Sequence, residues 1–200
     1  MRVSGQSASE CSTSSRMKTR DIDSLFTINA HRTVEQDASF GLLQISDIAL
    51  KALSPGINDT TTAVTCVDHI GALLSRLAQR RIAPRLRGDG SKLEVIARGP
   101  TFESLVSLGL DDVRRNAEGN VVVLNRLLDA IETASSFARN PGRRRVLATQ
   151  VDLLGEAVER SVRAPSDRAS LAARVQSAHA RLATPPSTRT LGTEVPAAHA

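Results

Sequence analysis

The sequence predicts a mainly helical fold, in which a bundle is built around an antiparallel helical hairpin, with a small β-hairpin and disordered termini. Apolar residues recur at spacings of three and four along most of the chain, which is the pattern of amphipathic helices. Only 2% of residues are aromatic, with four Phe and no Tyr or Trp, so Leu, Val, Ile and Ala must form the core. At 200 residues the chain can bury one sizeable core.

Three regions follow from composition. Residues 1–20 lack the apolar middle of a secretory signal, and we expect a disordered leader there. Residues 21–182 carry the helical periodicity and are predicted to form a single domain. Residues 183–200 are rich in Pro, Thr and Ala and have too few large apolar side chains to repay the entropy of ordering, so a disordered tail is predicted.

Two helices and a tight turn are predicted to form the hairpin. The first runs from about Thr33 to Leu53 and ends because Ser54-Pro55-Gly56 breaks helical geometry. Asn58 or Asp59 can cap the second, which ends near Arg80. A short loop makes the pair antiparallel. The predicted buried stripes are Val34, Ala38, Gly41, Ile45, Ile48 and Ala52 in the first helix, and Ala63, Val67, Ile70, Leu74 and Leu77 in the second.

The rest of the domain is predicted from turn-forming and helix-breaking residues and from the spacing of apolar residues. Alternating residues from Ile82 to Arg98, with a Gly88-Asp89-Gly90 turn, indicate a β-hairpin. Further helices are expected from Pro100-Thr101 to Gly119, from Asn120 to the Asn140-Pro141-Gly142 break, from about Arg145 to Arg163, and from about Ser166 to Leu182.

Short polar residues are dense around the hairpin, and two interpretations stay open. In the structural one, Asp47 and Lys51 form an ion pair at i,i+4, and Asn58 or Asp59 with Thr62 cap the second helix. In the functional one, Asp37 and Asp47 face the loop and form a buried polar site. Buried carboxylates need a partner, and the candidates are Arg32, the amides of the loop, or a cation of the Mg or Ca kind.

Several function classes are not supported. Cys11 and Cys66 make no disulfide framework, so a reducing cytoplasm is expected. Cys66 and His69 lack a second ligand pair for zinc, and Cys66 lacks a visible catalytic base. We therefore predict no catalytic residue, no metal and no cofactor. No apolar run approaches the ~20 residues that a transmembrane helix needs.

Basic residues exceed acidic ones by 26 to 21, a formal charge of +5. They include the groups Arg80-Arg81-Arg85-Arg87, Arg114-Arg115 and Arg143-Arg144-Arg145. Such groups either bind phosphates or anionic lipid heads, or form a solvated arginine face. No nucleic-acid-binding signature accompanies them, and no nucleic-acid partner is expected.

The segment Phe26 to Asp68, FTINAHRTVEQDASFGLLQISDIALKALSPGINDTTTAVTCVD, resembles the domain of unknown function 2254 family of uncharacterised predicted membrane proteins. The ALSPGIND block follows a QD-x3-FG block in the family's order, and a weaker similarity extends to about Ser135, so the family-like core is 26–135. The chain departs at Leu43, where the family usually has Arg, and at Thr60, where it usually has Pro. The candidate polar-site positions that match the motif are Arg32, Gln36, Asp37, Asp47, Ser54, Asn58, Asp59, Thr62 and Asp68.

The resemblance implies a cytoplasmic, mainly helical C-terminal region of a protein whose N-terminal part holds transmembrane helices, with no established activity. The chain is then a fragment, a gene with a misplaced start or a soluble relative, and the cytoplasmic face of the membrane is an alternative location. Our leading hypothesis is a non-enzymatic module for association within or between proteins, with a membrane-embedded partner or a homo-oligomer. The alternative is a regulatory site for a small ligand or divalent cation at the polar cluster.

Overall fold

Six α-helices make up most of the part of the chain that the structure describes. The computed structural model describes residues 37–82, 86–88, 93–96 and 99–184, all within the unit Thr33–Ala200. The helices are α1 (Ala38–Leu53), α2 (Thr60–Gln79), α3 (Phe102–Asn116), α4 (Val121–Phe137), α5 (Pro141–Ser161) and α6 (Pro165–Ala183). The mainly helical class is therefore confirmed.

Side-chain caps explain where most helices begin. The side chains of Asp37, Asp59, Thr101, Asn120 and Asn140 accept the first free amides of α1 to α5, which would otherwise lack partners. The Asn140-Pro141-Gly142 segment was predicted as a break, with the next helix starting near Arg145. That boundary is wrong, because Asn140 caps α5 and proline is well suited to its first position. Ala183, predicted to open the tail, is the last residue of α6, and residues 1–36 and 185–200 lie outside the described residues.

Most residues of the predicted stripes lie in the core. Ala63, Val67, Ile70 and Leu74 of α2 are buried, and Leu77 is partly buried. In α1, however, Ile48 is 52% exposed while Ala49 is fully buried. Gly41 and Ala52 of the predicted α1 stripe are buried and Ile45 is partly buried, so the prediction is wrong at Ile48.

Helix α2 is the centre of the packing, and α4 is its most extensive neighbour. A Cβ built on Gly71 of α2 would lie 2.9 Å from the Cβ of Ala130 of α4. The absence of a side chain at Gly71 thus permits this close crossing. Helix α1 packs on α2 and α3, where the buried Ser46 hydroxyl donates to the carbonyls of Leu108 and Gly109 at 3.1 and 3.3 Å.

Successive helices run in opposite directions, so the starts of α1, α3 and α5 lie at the same end as the ends of α2, α4 and α6. Arg143 and Arg144 of α5 donate to carbonyls at the ends of α2, α4 and α6. At the opposite end the Gly119 amide donates to Ser161 Oγ at 2.8 Å. The α1–α2 pair is thus an antiparallel hairpin inside a larger up-and-down bundle.

Two short strands lie in the sequence between α2 and α3. The strand β1 (Leu86–Gly88) pairs antiparallel with β2 (Leu93–Ile96), with Leu86 opposite Ile96 and Arg87 opposite Val95. Asp89 and Gly90 of the predicted turn lie outside the described residues. The strands add little to a fold that is otherwise helical.

Candidate functional site

The loop that joins α1 to α2 is held by its own polar groups. The Ser54 hydroxyl donates to the Lys51 carbonyl at 2.7 Å, and the Asp59 amide donates to the Ala52 carbonyl at 2.8 Å. Asn58 has a positive φ of 48°, a conformation that asparagine tolerates better than most residues. These three predicted site residues therefore close the turn.

Asp59 and Thr62 form the cap of α2. The Thr62 amide and hydroxyl donate to the two Asp59 carboxylate oxygens at 3.0 and 2.6 Å. The hydrogen bond from the Thr62 hydroxyl has the larger effect and the bond from the Thr62 amide the smaller, and both lower the pKa of the exposed Asp59 carboxyl. They do so because they stabilise its charged form. The predicted capping role is confirmed.

The expectation that Asp37 and Asp47 form a buried site with the loop is wrong. The Asp37 carboxylate accepts the Ser39 and Phe40 amides at 2.8 and 3.3 Å as the cap of α1, at the end of that helix opposite the loop. Asp47 is exposed. Asp37 and Asp47 therefore do not share a site with the loop. Two other predicted members of the site, Arg32 and Gln36, lie outside the described residues.

Asp68, the last member of the predicted cluster, pairs with another helix. Its two carboxylate oxygens accept Nε and Nη2 of Arg126 on α4 at 2.5 and 2.8 Å. The hydrogen bond and charge of Asp68 raise the pKa of the Arg126 guanidinium. This two-pronged pair ties α2 to α4 on an exposed side of the bundle.

The Cys66 thiol is buried, and the acidic groups form no metal-binding cluster in the described ranges. Burial raises the pKa of the Cys66 thiol, because the thiolate is poorly solvated there, so the uncharged form is favoured. Within residues 37–82 and 99–184, no cluster of three or more His, Cys, Asp or Glu side chains is arranged to hold a metal.

A solvent-facing strip on α1 combines apolar and charged side chains. We call it the α1 outer face, and its exposed members are Leu43, Gln44, Asp47, Ile48 and Lys51. Leu43 is 36% and Ile48 52% exposed. The ion pair that was expected between Asp47 and Lys51 is absent, and in the described part of the chain neither side chain has an ion-pair partner.

Two arginines at the start of α5 join three helix ends. Arg143 donates to the carbonyls of Leu77, Ala78 and Arg80 at 3.2, 2.7 and 2.7 Å, and its guanidinium lies 5.2 Å from the centre of the Phe102 ring. These carbonyls end α2 and lack helical partners. Arg143 is therefore a structural clamp rather than a solvated charge.

Arg144 does the same for α4 and α6. Buried to 8% exposure, it donates to the carbonyls of Ser135 and Ala138 at 3.1 and 3.3 Å. It also donates to the Leu182 and Thr184 carbonyls at 2.7 and 2.6 Å. The sequence analysis interpreted this arginine run either as a solvated face or as an anion site. The signal that could have indicated a structural role is the position of the run in the first turn of a helix that begins with Asn-Pro.

Other arginines at this end stay available to solvent. A cleft of about 580 Å³ is lined by Arg80, Arg81 and Arg139 together with Phe137. All four side chains are exposed, and Phe137 is 43% exposed. We call these four residues the basic end. Among the described residues, none of its three guanidiniums has a carboxylate partner.

Comparison with known proteins places the chain in a family. The family model described as "Predicted membrane protein (DUF2254)" matches residues 1–133, and so begins before the Phe26 start of the predicted core. An uncharacterised protein of Mycobacterium bovis and two of Mycobacterium tuberculosis are each 37% identical to the chain over 168 residues, or 80% of this chain.

The chain spans about a third of the length of these relatives, since the match covers 32% of each. No solved structure matches it. Of the helices described, none combines the length and apolar character needed to span a bilayer. With two thirds of its length matched by the family model, the chain belongs to the DUF2254 family of predicted membrane proteins.

Proposed function

We propose that this chain is a non-enzymatic helical association module, and that the α1 outer face joins it to a second copy of itself. The observation that carries the proposal is the exposure of Ile48, at 52%, on a helix whose opposite side is buried in the core. Of five exposed large apolar side chains among the described residues, three lie between Leu43 and Ile57. Clustered apolar exposure is typical of interaction surfaces.

The charges on the same face favour a second copy as the occupant. Asp47 and Lys51 are one helical turn apart and have opposite charge, yet they are not paired with each other. When two copies of α1 lie antiparallel across a two-fold axis, Asp47 of each copy meets Lys51 of the other. Ile48 then lies between the two ion pairs, so the face is complementary to itself.

The neighbouring carboxylates already have hydrogen-bond or ion-pair partners, and this favours an association module over a ligand-binding or cation-binding site. The Asp37 and Asp59 carboxylates accept backbone amides as helix caps, and Asp68 is paired with Arg126. Groups engaged in this way would have to give up stabilising bonds to bind a cation or a small ligand. The regulatory-site alternative therefore has no specific observation in its favour.

The proposal places the module at the cytoplasmic face of a membrane, beside a membrane-embedded neighbour. The description of the family as predicted membrane proteins and the greater length of the relatives support this placement. The lateral position of the α1 outer face on the bundle leaves both ends of the bundle available to other contacts.

Sedimentation equilibrium of the full chain tests the proposal. We expect a concentration-dependent equilibrium between monomer and dimer. Ile48→Glu should abolish the dimer, because a charge would be buried at the contact. Val122→Glu is the matched control, since Val122 is 58% exposed on α4, and it should associate as the wild type does. A wild-type chain that stays monomeric at every concentration would overturn the proposal and favour a membrane-embedded occupant.

A further inference from the structure

The arginines in the described part of the chain differ in whether a carboxylate pairs with them. Several on the sides of the bundle are paired, as Arg115 is with Asp112, Arg126 with Asp68, and Arg174 with Asp129. Arg80, Arg81 and Arg139 line one cleft, and in the described part of the chain they have no acidic partner. Three guanidiniums without a carboxylate partner therefore share one cleft at the basic end.

The two clamp arginines, Arg143 and Arg144, lie beside the basic end and bind the helix ends there. Arg143 and Arg144 bind the terminal carbonyls of α2, α4 and α6. The negative ends of these helix dipoles are thereby satisfied by one partly buried and one buried guanidinium. The side chains of Arg80, Arg81 and Arg139 are therefore not needed to bind these carbonyls, and they remain exposed to solvent.

Phe137 adds an apolar contribution to the same cleft. It is 43% exposed beside Arg139, although burial of a phenyl ring in apolar surroundings is favourable. An exposed aromatic ring among arginines is the combination that binds an anionic bilayer, where guanidiniums contact headgroup phosphates and the ring enters the acyl boundary. A small free anion would make no use of the ring.

We infer that the basic end docks the chain on the headgroups of an anionic lipid bilayer, through Arg80, Arg81, Arg139 and Phe137. Residue 37 at the start of α1 and residue 184 at the end of α6 lie at this same end, since Ala38 shares a cleft with Arg80 and the Thr184 carbonyl accepts Arg144. The contact requires neither the α1 outer face nor a second copy. Ile48→Glu should therefore bind vesicles as the wild type does, which separates this inference from the proposed dimer.

Co-sedimentation of the full chain with lipid vesicles tests the inference. We expect binding to vesicles of equimolar phosphatidylglycerol and phosphatidylcholine, weakened by added salt, and no binding to phosphatidylcholine alone. Arg81→Glu/Arg139→Glu should weaken binding by about thirtyfold or more, from the roughly fivefold that one basic residue contributes at an anionic surface. The matched control is Arg163→Glu/Arg168→Glu, which changes the net charge equally near the other end of the bundle and should keep most of the affinity.

A second pair of variants separates the lipid from other sources of phosphate. Phe137→Asn should weaken vesicle binding by about tenfold because the ring's burial is lost, whereas Val122→Asn should not. Equal losses in the two double-arginine variants would overturn the inference. So would release of the chain by inorganic phosphate at an ionic strength where chloride has no effect, or tighter binding to duplex DNA than to the anionic vesicles.

Discussion

Gly71 on α2 faces Ala130 on α4 so closely that a Cβ built on Gly71 would lie 2.9 Å from the Ala130 Cβ and 3.1 Å from its Cα. Real Cβ atoms do not approach one another to that distance, so the two helices can cross here only while residue 71 has no side chain. Because α2 and α4 form the most extensive helix contact, this pair of small residues sets the spacing of the bundle's centre.

Gly71→Ala should therefore destabilise the fold. Overpacking a well-packed core costs about 1 to 3 kcal/mol, which exceeds the gain of up to about 1 kcal/mol from the better helix propensity of alanine. Urea denaturation followed by circular dichroism measures the difference. Gly56→Ala is the control, because no atom lies within 4 Å of a Cβ built at Gly56, and it should change stability by less than about 0.5 kcal/mol. Combining Gly71→Ala with Ala130→Gly should recover part of the loss.

Arg144→Met should be among the most destabilising single changes in the domain. It removes every side-chain donor to the Ser135, Ala138 and Leu182 carbonyls, and methionine cannot replace them. Leaving the Ala138 and Leu182 carbonyls without these donors is expected to cost about 3 kcal/mol or more. The control Arg145→Met changes an exposed neighbour and should lie within about 0.5 kcal/mol of the wild type. Equal urea midpoints for the two variants would show that the clamp contributes nothing.

The cap of α2 should make part of the stability depend on pH. The folded-state pKa of Asp59 is below its ordinary value, so the folded chain holds the Asp59 proton less tightly than the unfolded chain does. The cap's stabilisation is present above the unfolded pKa, about 3.9, and is lost as pH falls through the folded pKa. Asp59→Asn keeps a capping side chain but does not titrate, so its melting temperature should fall less on acidification.

Thermal unfolding with added ligands tests the regulatory-site alternative. A ligand at a hundred times its dissociation constant would raise the stability of the folded chain by about 2.7 kcal/mol. Since the Asp37, Asp59 and Asp68 carboxylates are engaged in caps and an ion pair, we expect no such shift with Mg²⁺, Ca²⁺ or a nucleotide. A saturable shift that Asp59→Asn or Asp47→Asn abolishes would instead establish a binding site at the hairpin.

The helices could be predicted from the sequence because local signals and core packing agree. Asp59 and Asn120 sit just before apolar stripes, and both cap the helices that follow. The α1 stripe was wrong at Ile48 because that helix is apolar on more than one side. Periodicity alone does not show which side meets α2 and α3, and this is why Ile48 was assigned to the core while the small Ala49 occupies it.

The polar residues were harder to interpret from the sequence, because their roles depend on contacts between distant segments. The pair of Asp68 with Arg126 is 58 residues apart in the chain, and the bonds of Arg144 to Leu182 span 38 residues. No local spacing distinguishes such an arginine from a solvated one. The capping interpretation is confirmed for Asp59 with Thr62, since caps are local, whereas the buried site required Asp37 and the loop to meet although they lie at opposite ends of α1.

The most direct test of the α1 outer face as a self-association surface is a charge exchange followed by sedimentation equilibrium. Asp47→Lys and Lys51→Asp each place like charges across the two-fold axis, and each should weaken the dimer by about tenfold, from the loss of two surface ion pairs. The double variant Asp47→Lys/Lys51→Asp restores opposite charges across the axis and should recover the wild-type association. A double variant as weak as the single variants, or single variants as strong as the wild type, would contradict the account.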